Sequence, residues 1–209
     1  GLTGLYNFRY FFELASYEFT AAIRYKRPLS IIIFDTDKLK QVNDTLGHVT
    51  GDKMLVKVAQ AASSQVRSVD ALARYGGDEF VVLLPQTNAQ QAFPVAERIR
   101  ASVADLQIET EKGPLTVTLS IGISELSFDP MDEDLESIVR RADKALYSAK
   151  SAGRNCTKIF QAEWVWVYGT FVIKTLEIRP MILKGKIFQK FPKFVIVHNT
   201  GISYVERNG

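Results

Sequence analysis

The stretch Arg74-Tyr75-Gly76-Gly77-Asp78-Glu79-Phe80, continued by the apolar run Val81-Val82-Leu83-Leu84, is the most informative part of this chain. Apolar residues lie on both sides of a Gly-Gly pair, and two carboxylates follow the glycines directly. Two adjacent glycines can adopt the positive φ angles of a primed turn, so the stretch predicts a tight β-hairpin that turns at Gly76-Gly77. Asp78 and Glu79 would then lie at the hairpin tip, where a ligand can approach the backbone closely.

Length and composition are typical of a soluble protein with one domain, or one domain and an appendage. The chain has 209 residues, of which 46% are apolar and 23% charged. Residues 1–160 contain 19 Lys/Arg and 20 Asp/Glu, whereas residues 161–209 contain 7 and 3. The first part therefore has no basic field that would indicate nucleic-acid binding.

Targeting and redox signals are few. The single cysteine, Cys156, cannot form an intrachain disulfide, which fits a reducing compartment. No apolar run approaches the roughly 20 residues that span a bilayer. The chain begins at Gly1 without a methionine, so we expect a domain excised from a longer protein, with an upstream sensory or membrane module missing. The expected location is cytoplasmic, for the chain itself or as the cytoplasmic portion of a membrane-anchored sensor.

Hydrophobic periodicity predicts an α+β fold with a mixed central β-sheet flanked by helices. A short helix or turn and a polar loop are expected over residues 38–51. Residues 161–209 are rich in aromatic and β-branched side chains and predict a β-rich C-terminal extension, so the expected domains are 1–160 and 161–209. The predicted helices are 7–26, 52–66, 89–104 and 134–151; the predicted strands are 30–34, the hairpin 72–84, 115–124 and an edge strand at 155–160.

Two further carboxylates, Asp35 and Asp37, follow the Ile-rich predicted strand. Alone, such a pair is also common as solvated loop residues. If this strand neighbours the hairpin, Asp35 and Asp78 converge, and two carboxylates with a backbone carbonyl such as that of Thr36 suit Mg²⁺. Such an ion could polarise an α-phosphate and lower the pKa of an attacking 3′-hydroxyl.

The hairpin resembles the GGDEF signature of bacterial diguanylate cyclases, and other motifs of that family recur in order over residues 2–160. The resemblance implies the palm-like fold of nucleotidyl cyclases and the condensation of two GTP into cyclic di-GMP, with release of two pyrophosphates. It also implies a homodimer in which each protomer holds one GTP. The matching motifs are Leu2-Thr3-Gly4-Leu5-Tyr6-Asn7, Arg27-Pro28-Leu29-Ser30, Asp35-Thr36-Asp37-Lys38-Leu39-Lys40, Val42-Asn43-Asp44, Gly47-His48, Gly51-Asp52, Ser120-Ile121-Gly122, the segment 142–150, and Gly153-Arg154-Asn155.

The resemblance assigns the metal and the reacting hydroxyl to the carboxylates. It places Mg²⁺ or Mn²⁺ on Asp35, the Thr36 carbonyl and Asp78, with Glu79 beside it. Asp78 is also a candidate base for the 3′-hydroxyl, and metal-assisted deprotonation without a dedicated base is the open alternative.

The same resemblance assigns the residues that would bind the nucleotide. The backbone N–H groups of Lys38 and Leu39 would meet terminal phosphates; the family more often has Phe at the second position, which backbone binding tolerates. Asn43 and Asp52 would recognise guanine, since a carboxylate accepts from both N1–H and N2–H₂. The alternatives are a turn residue for Asn43 and a helix N-cap for Asp52. The remaining substrate contacts are Gly76 at the hairpin and the phosphate-binding cations Lys150 and Arg154, which could equally pair with a helix C-terminus capped by Gly153.

A second set of residues resembles the family's inhibitory Arg-x-x-Asp site for the product. Arg67 and Asp70 precede the hairpin at the family's spacing, and Arg98 in the following helix is a secondary contact by position. The alternative is that Arg67 and Asp70 merely belong to a solvated helix end.

Three functions are compatible with these residues. The first is an active diguanylate cyclase, and the second is a catalytically silent receptor for cyclic di-GMP or GTP. The third is a nucleic-acid polymerase palm, which the missing basic groove and the Arg67–Asp70 pair disfavour. The complete set of implied catalytic residues favours the first.

Overall fold

The computed structural model describes residues 1–128 and 133–161, and the backbone of four strands beyond them. The chain divides into two compact units, Gly1–Phe160 and Gln161–Gly209. In the second unit, two antiparallel pairs are formed by β9 (Trp164–Val167) with β10 (Thr170–Ile173) and by β11 (Lys193–His198) with β12 (Gly201–Glu206). The rest of the predicted β-rich extension lies outside the described residues.

The first unit is built on a six-stranded mixed sheet in the order β1-β3-β4-β2-β7-β8. The β1–β3 and β7–β8 pairs are parallel and the other three are antiparallel. This confirms the predicted mixed sheet with flanking helices. The strands of this unit are β1 (Tyr6–Asn7), β2 (Leu29–Thr36), β3 (Ala71–Arg74), β4 (Glu79–Pro85), β5 (Ile108–Thr110), β6 (Gly113–Leu115), β7 (Leu119–Glu125) and β8 (Thr157–Ile159). Its helices are α1 (Phe8–Tyr25), α2 (Leu39–Leu46), α3 (His48–Ser63), α4 (Ala89–Ala104) and α5 (Leu135–Ser151).

Helices cover both faces of the sheet because β2 is apolar on both sides. Successive side chains of a strand point to opposite faces. Ile32 and Phe34 therefore join one core with α3 and α4, while Ile31 and Ile33 join a second core with α1 and α5. All eight residues of β2 are buried. The strand is thus held rigidly in the middle layer, and its C-terminal end carries Asp35.

Helix α5 approaches the sheet unusually closely at Gly122 of β7. A Cβ atom built there would overlap the backbone of Ala142 and Leu146. Only glycine permits this contact, since the helix rests on main chain with no side chain between. The position of α5 over β7 is consequently fixed by backbone atoms.

The structure differs from the sequence-based expectation around residues 38–51. This segment is almost entirely helical: α2 ends at Leu46, and α3 begins at His48, four residues earlier than predicted. Gly47 separates the two helices with φ of 82°, a left-handed conformation that glycine adopts readily. The predicted strand over 115–124 starts at Leu119 instead, because Leu115 belongs to the short, unpredicted β5–β6 hairpin.

Candidate active site

The carboxylates converge at the C-terminal end of β2. Asp35 lies opposite Glu79 in β4 and opposite Ser120 in β7, so it sits between two neighbouring strands. The Thr36 amide donates to the Asp78 carbonyl at 3.2 Å, which fixes the hairpin loop beside the strand end. Strand pairing therefore gathers three acids, Asp35, Asp78 and Glu79, at one edge of the sheet.

The hairpin loop has a different conformation from the one predicted. Neither Gly76 nor Gly77 has a positive φ, so the expected primed turn is wrong. Residues 75–78 form a four-residue loop between β3 and β4, closed by the amides of Tyr75 and Gly76, which both donate to the Glu79 carbonyl at 2.8 and 3.2 Å. A loop of this length does not need the primed geometry that two-residue hairpins require. Gly76 instead leaves room for the Glu79 side chain, whose Oε2 would lie 3.0 Å from a Cβ at that position.

Arg74 holds this loop, a role that sequence reasoning missed. Its guanidinium donates from Nε to the carbonyls of Gly76 and Gly77, at 3.2 Å each, and from Nη2 to Gly77 at 2.6 Å. Charge-assisted bonds to two adjacent carbonyls fix the loop that presents Asp78. The sequence contains no signal for this beyond a basic residue two positions before Gly76.

Asp35 is a buried carboxylate paired with a lysine from α5. Its Oδ2 accepts from Lys150 Nζ at 2.9 Å, and the residue is 8% exposed. The pKa of Asp35 is raised to about 6, chiefly by burial and also by the nearby Asp78 and Glu79, while Lys150 lowers it. A carboxylate with this unfavourable environment favours a stronger cation than one partly exposed lysine.

Asp37, the other acid of the pair, is fully occupied by neutral donors. Oδ1 accepts from the Ser120 hydroxyl at 2.7 Å, while Oδ2 accepts from the Thr118 hydroxyl at 2.7 Å and the Asn155 amide at 3.1 Å. Three donors from two distant segments leave it little capacity for a metal. Asp37 thus belongs to the framework of the site, a role for which the Asp-x-Asp spacing gave no signal.

A divalent ion fits this group of residues. Within the described part of the chain, no three His, Cys, Asp or Glu side chains gather closely enough to hold a metal by themselves. Mg²⁺ seldom requires such a cage, because it commonly uses one or two carboxylates and completes its shell with water and substrate phosphates. Asp35, Asp78 and the Thr36 carbonyl provide such a set, and the Lys150 ammonium shows that the position accepts positive charge.

The N-terminus of α2 adjoins this edge. Helix α2 begins at Leu39, and its N-cap residue Lys38 has φ of 66° and makes no side-chain capping bond. The first N–H groups of a helix have no partner within the helix and favour anions. The Lys38 and Leu39 amides thus lie at an uncapped helix start, directly after Asp37 in the chain.

The predicted guanine-binding residues lie on α2 and α3. Asn43 is helical rather than a turn residue, and its Oδ1 is buried without a hydrogen-bond partner among the described residues. Gly51 makes room for it, since a Cβ there would overlap Asn43 Oδ1. Asp52 is exposed in the second turn of α3, so the N-cap alternative is wrong; the cap is Gly47.

Asp52 also opens onto a groove of about 610 Å³, whose lining includes Leu2, Val49 and Lys53. This groove offers apolar surface beside a carboxylate acceptor. Asn43 is not among the residues that line the groove, so of the two predicted base-binding residues only Asp52 adjoins it.

The two predicted phosphate cations follow one another at the end of α5. Lys150 is in the last turn and bonds to Asp35, whereas Arg154 lies in the turn after the C-cap Ala152. Gly153, Arg154 and Asn155 have φ values of 110°, 67° and 44°. The alternative in which these cations serve only the helix C-terminus does not describe Lys150, which has a carboxylate partner, and the C-cap is Ala152 rather than Gly153.

The predicted inhibitory residues lie at the other end of β3 and are paired with each other. Arg67 donates through Nε and Nη2 to both oxygens of Asp70, at 3.2 and 2.9 Å, and through Nη2 to the Thr87 hydroxyl at 3.0 Å. The bond to Asp70 raises the pKa of Arg67 above its ordinary value. Arg98 on α4 donates to the Gln65 carbonyl at 2.5 Å, two residues before Arg67. The three predicted residues thus occupy one surface region, with Thr87 as an additional partner.

Comparison with known proteins identifies the fold and the motifs as those of one family. The family model "Diguanylate cyclase, GGDEF domain" matches residues 1–156. Diguanylate cyclase A of Treponema denticola is 46% identical over 149 residues, which cover 70% of this chain and 40% of that protein. The chain therefore spans well under half the length of such curated relatives. Among the described residues, no helix is long and apolar enough to cross a membrane.

Solved structures with a similar fold come from the same family. Diguanylate cyclase SiaD from Pseudomonas aeruginosa, determined with its activator SiaC, is 41% identical with a TM-score of 0.72, covering 76% of this chain and 60% of that one. The GGDEF domain of DgcB from Caulobacter crescentus, determined with c-di-GMP, is 30% identical with a TM-score of 0.73, covering 77% and 92%. A family match over most of the chain, with the signature loop at a sheet edge rich in carboxylates, shows that the chain belongs to the GGDEF family of diguanylate cyclase domains.

Proposed function

We propose that this chain is a diguanylate cyclase that joins two GTP molecules into cyclic di-GMP and releases two pyrophosphates. The observation that supports this most strongly is the convergence of Asp35, Asp78 and Lys150 at one edge of the sheet, next to the uncapped N-terminus of α2. Carboxylates, a lysine and free helix amides are the groups that a metal-bound triphosphate needs.

Different residues would bind the base and the phosphates of GTP. Asn43 and Asp52 would read the base, the Lys38 and Leu39 amides the terminal phosphates, and Lys150 and Arg154 would offset the charge that develops on departing pyrophosphate. Gly76 would let the hairpin backbone lie close to the nucleotide.

Asp35, Asp78 and the Thr36 carbonyl would hold Mg²⁺ or Mn²⁺, with Glu79 beside them; such an ion polarises the α-phosphate and acidifies a hydroxyl. The 3′-hydroxyl of one GTP attacks the α-phosphorus of the other, and its proton passes to Asp78 or to solvent. Two such steps close the ring. Because one chain provides one nucleotide site, catalysis requires a homodimer that holds the two GTP molecules face to face.

Arg67, Asp70 and Arg98 would bind the product. The guanidinium of Arg67 and the carboxylate of Asp70 are complementary to guanine and phosphate groups, and Arg98 is close enough in the fold to contribute a further cation. Accumulated cyclic di-GMP would thereby inhibit the enzyme.

We propose residues 1–160 as the cyclase domain and residues 161–209 as a separate appendage. The end of the family match at residue 156 and the division of the chain after Phe160 support this boundary. A chain truncated after residue 162 is expected to keep its cyclase activity. An upstream sensory or membrane module and a cytoplasmic location of the cyclase domain remain part of the proposal.

The direct test is incubation with GTP and Mg²⁺ or Mn²⁺, with cyclic di-GMP and pyrophosphate measured by mass spectrometry and coupled assay. Specific activity is expected to rise with protein concentration as dimers form. No product is expected when ATP replaces GTP or when a chelator removes the metal. Asp78→Asn is the inactive control. Nucleotide binding without turnover by a demonstrably dimeric sample would identify the chain as a silent receptor instead.

A further inference from the structure

We propose that Asp37 is a positioning residue that aims Arg154 at the phosphates, rather than a ligand of the metal. This inference rests on the proposed function, because it concerns the GTP site. The Asp-x-Asp pattern alone does not distinguish the two acids. The structure distinguishes them by their partners.

The turn that Asp37 holds has an unfavourable backbone conformation. Three consecutive residues, Gly153, Arg154 and Asn155, have positive φ values. Glycine adopts such angles freely and Asn does so more readily than most residues, but for Arg they are sparsely populated and persist where surrounding contacts enforce them. Arg154 is therefore held in a conformation that its own sequence does not favour.

Contacts from three elements enforce this conformation. Asp37 at the end of β2 accepts from the Asn155 amide at 3.1 Å. Arg100 of α4 donates from Nη1 to Asn155 Oδ1 at 2.8 Å. The Arg154 amide donates to the Ala149 carbonyl at 3.1 Å, which anchors the turn to α5. The turn is thus fixed at Asn155 from two sides and at Arg154 from a third.

Asp37 is itself immobile. It is 6% exposed, its amide donates to the Thr118 carbonyl at 2.9 Å, and the hydroxyls of Thr118 and Ser120 hold its two oxygens. With the Asn155 amide, these hydroxyls make Asp37 a fixed acceptor of three hydrogen bonds from neutral donors. The guanidinium of Arg154 makes no ion pair within the same part of the chain and is available to a phosphate. Asp37 therefore links the strand that carries Asp35 to the backbone of a phosphate-binding arginine.

The experiment compares Asp37→Ala with Asp37→Asn in the full chain. An asparagine oxygen can still accept from Asn155 and Thr118, and its amino group can donate to the Ser120 hydroxyl, which rotates to accept. Binding of 3′-deoxy-GTP, which lacks the attacking hydroxyl, is measured by titration calorimetry over a range of Mn²⁺ concentrations. We expect Asp37→Ala to weaken nucleotide binding at saturating Mn²⁺ by about 10-fold, and Asp37→Asn by less than about 3-fold.

A metal ligand would behave differently, since Asn would then fail almost as badly as Ala and both variants would need more Mn²⁺ for half-maximal binding. That result would overturn the proposal, as would Asp37→Ala with unchanged nucleotide affinity. Asp35→Asn is the reference for a lost ligand.

A double-mutant cycle tests whether the effect passes through Arg154. In an Arg154→Ala background, Asp37→Ala is expected to cost less than about a further 2-fold in affinity, and a full additional loss would contradict the proposal. If Asp37→Ala does not fold, Thr118→Val with Ser120→Ala replaces it, because this pair frees the carboxylate without deleting it. Wild-type chain that binds 3′-deoxy-GTP but forms no cyclic di-GMP would refute the proposed function while leaving this inference decidable.

Discussion

The two charged sites at opposite ends of β3 differ in how their polar groups are satisfied. At the proposed catalytic end, Asn43 Oδ1 is buried without a partner in the described part of the chain, and burial raises the pKa of Asp35. At the other end, Arg67 is bonded to both Asp70 and Thr87. The first site lacks what its ligands would supply, whereas the second must exchange internal bonds for bonds to its ligand.

The difference implies different sensitivities. Substrate binding at the proposed catalytic end would complete unfulfilled interactions, so loss of one protein group there would leave a charge or a donor of the substrate without a partner. Binding at the Arg67 end replaces one set of bonds by another, so its net energy is a small difference that weak substitutions can shift in either direction.

The largest effect is expected from Lys150→Met, which removes the only cation bonded to Asp35 among the described residues. Loss of a charge that stabilises the transition state should lower kcat/KM by at least about 100-fold. Lys144→Met on the same helix is the matched control and should retain activity. Steady-state assays of cyclic di-GMP formation decide the matter, and an activity within about 5-fold of wild type would show that Lys150 serves only the resting structure.

Asp35→Asn tests how the buried carboxylate at the proposed catalytic end affects the stability of the fold. The folded pKa of about 6 lies above the ordinary value of 3.8, so the folded state holds the proton more tightly than the unfolded chain. The carboxylate therefore destabilises the metal-free fold above pH 6, and this penalty is relieved as the pH falls towards about 4.

At pH 8 with a chelator present, Asp35→Asn should thus be more stable than wild type by about 1–3 kcal/mol while lacking cyclase activity. Urea unfolding across this range measures it. A stability difference that stays constant from about pH 4 to pH 8 would contradict the role assigned to burial.

Thr87→Val tests whether the internal bonds of Arg67 weaken product binding at the other end. The substitution keeps the side-chain shape but deletes the hydroxyl that occupies Arg67 Nη2. Freed from one internal bond, Arg67 should bind cyclic di-GMP about 5-fold more tightly. Calorimetric titration of the product measures this, with Ser30→Ala as control, because the Ser30 hydroxyl donates to the Thr87 carbonyl and not to its hydroxyl. Weaker binding would mean that the Arg67–Thr87 bond persists in the complex.

Thr36→Val should have the smallest effect of the four substitutions, and it should also stabilise the fold. Thr36 is 1% exposed and its hydroxyl has no partner among the described residues, so an isosteric apolar side chain should stabilise the fold by about 1 kcal/mol. Activity should be retained, since only the backbone carbonyl is assigned to the metal. Thr157→Val is the contrasting control: its hydroxyl bonds to Glu97 at 2.6 Å, and its loss should destabilise. Chemical denaturation of both variants gives the comparison.

Local sequence signals predicted those parts of the fold that depend on local interactions. Helix α4 was predicted over its observed residues from its amphipathic periodicity, and the structure shows a capping box of Asn88 and Gln91 at its start. The gathering of Asp35 with Asp78 was expected if two apolar strands are neighbours, because carboxylates lie at the end of the first strand and at the start of the second. Segment 38–51 was mistaken because a single glycine, Gly47, can separate two helices without a loop.

The supporting contacts of the site could not be predicted, since their partners lie far apart in sequence. Asp37 bonds to Thr118, Ser120 and Asn155, and none of these positions marks a partner for it in a single sequence. The hairpin conformation was wrong for a related reason: loop length is set by the β3–β4 register, in which Arg74 opposes Phe80. Periodicity predicts that strands exist but does not determine their register.

The backbone contact at Gly122 bears on how far such a domain can diverge in sequence. Because α5 rests on main-chain atoms of β7, replacements of core side chains elsewhere can slide or tilt neighbouring elements but cannot widen this one gap. Lys150 lies one helical turn beyond Leu146, a contact residue, so its height above the sheet is set at that point. The contact therefore keeps Lys150 within hydrogen-bonding distance of Asp35 even when core side chains elsewhere are replaced.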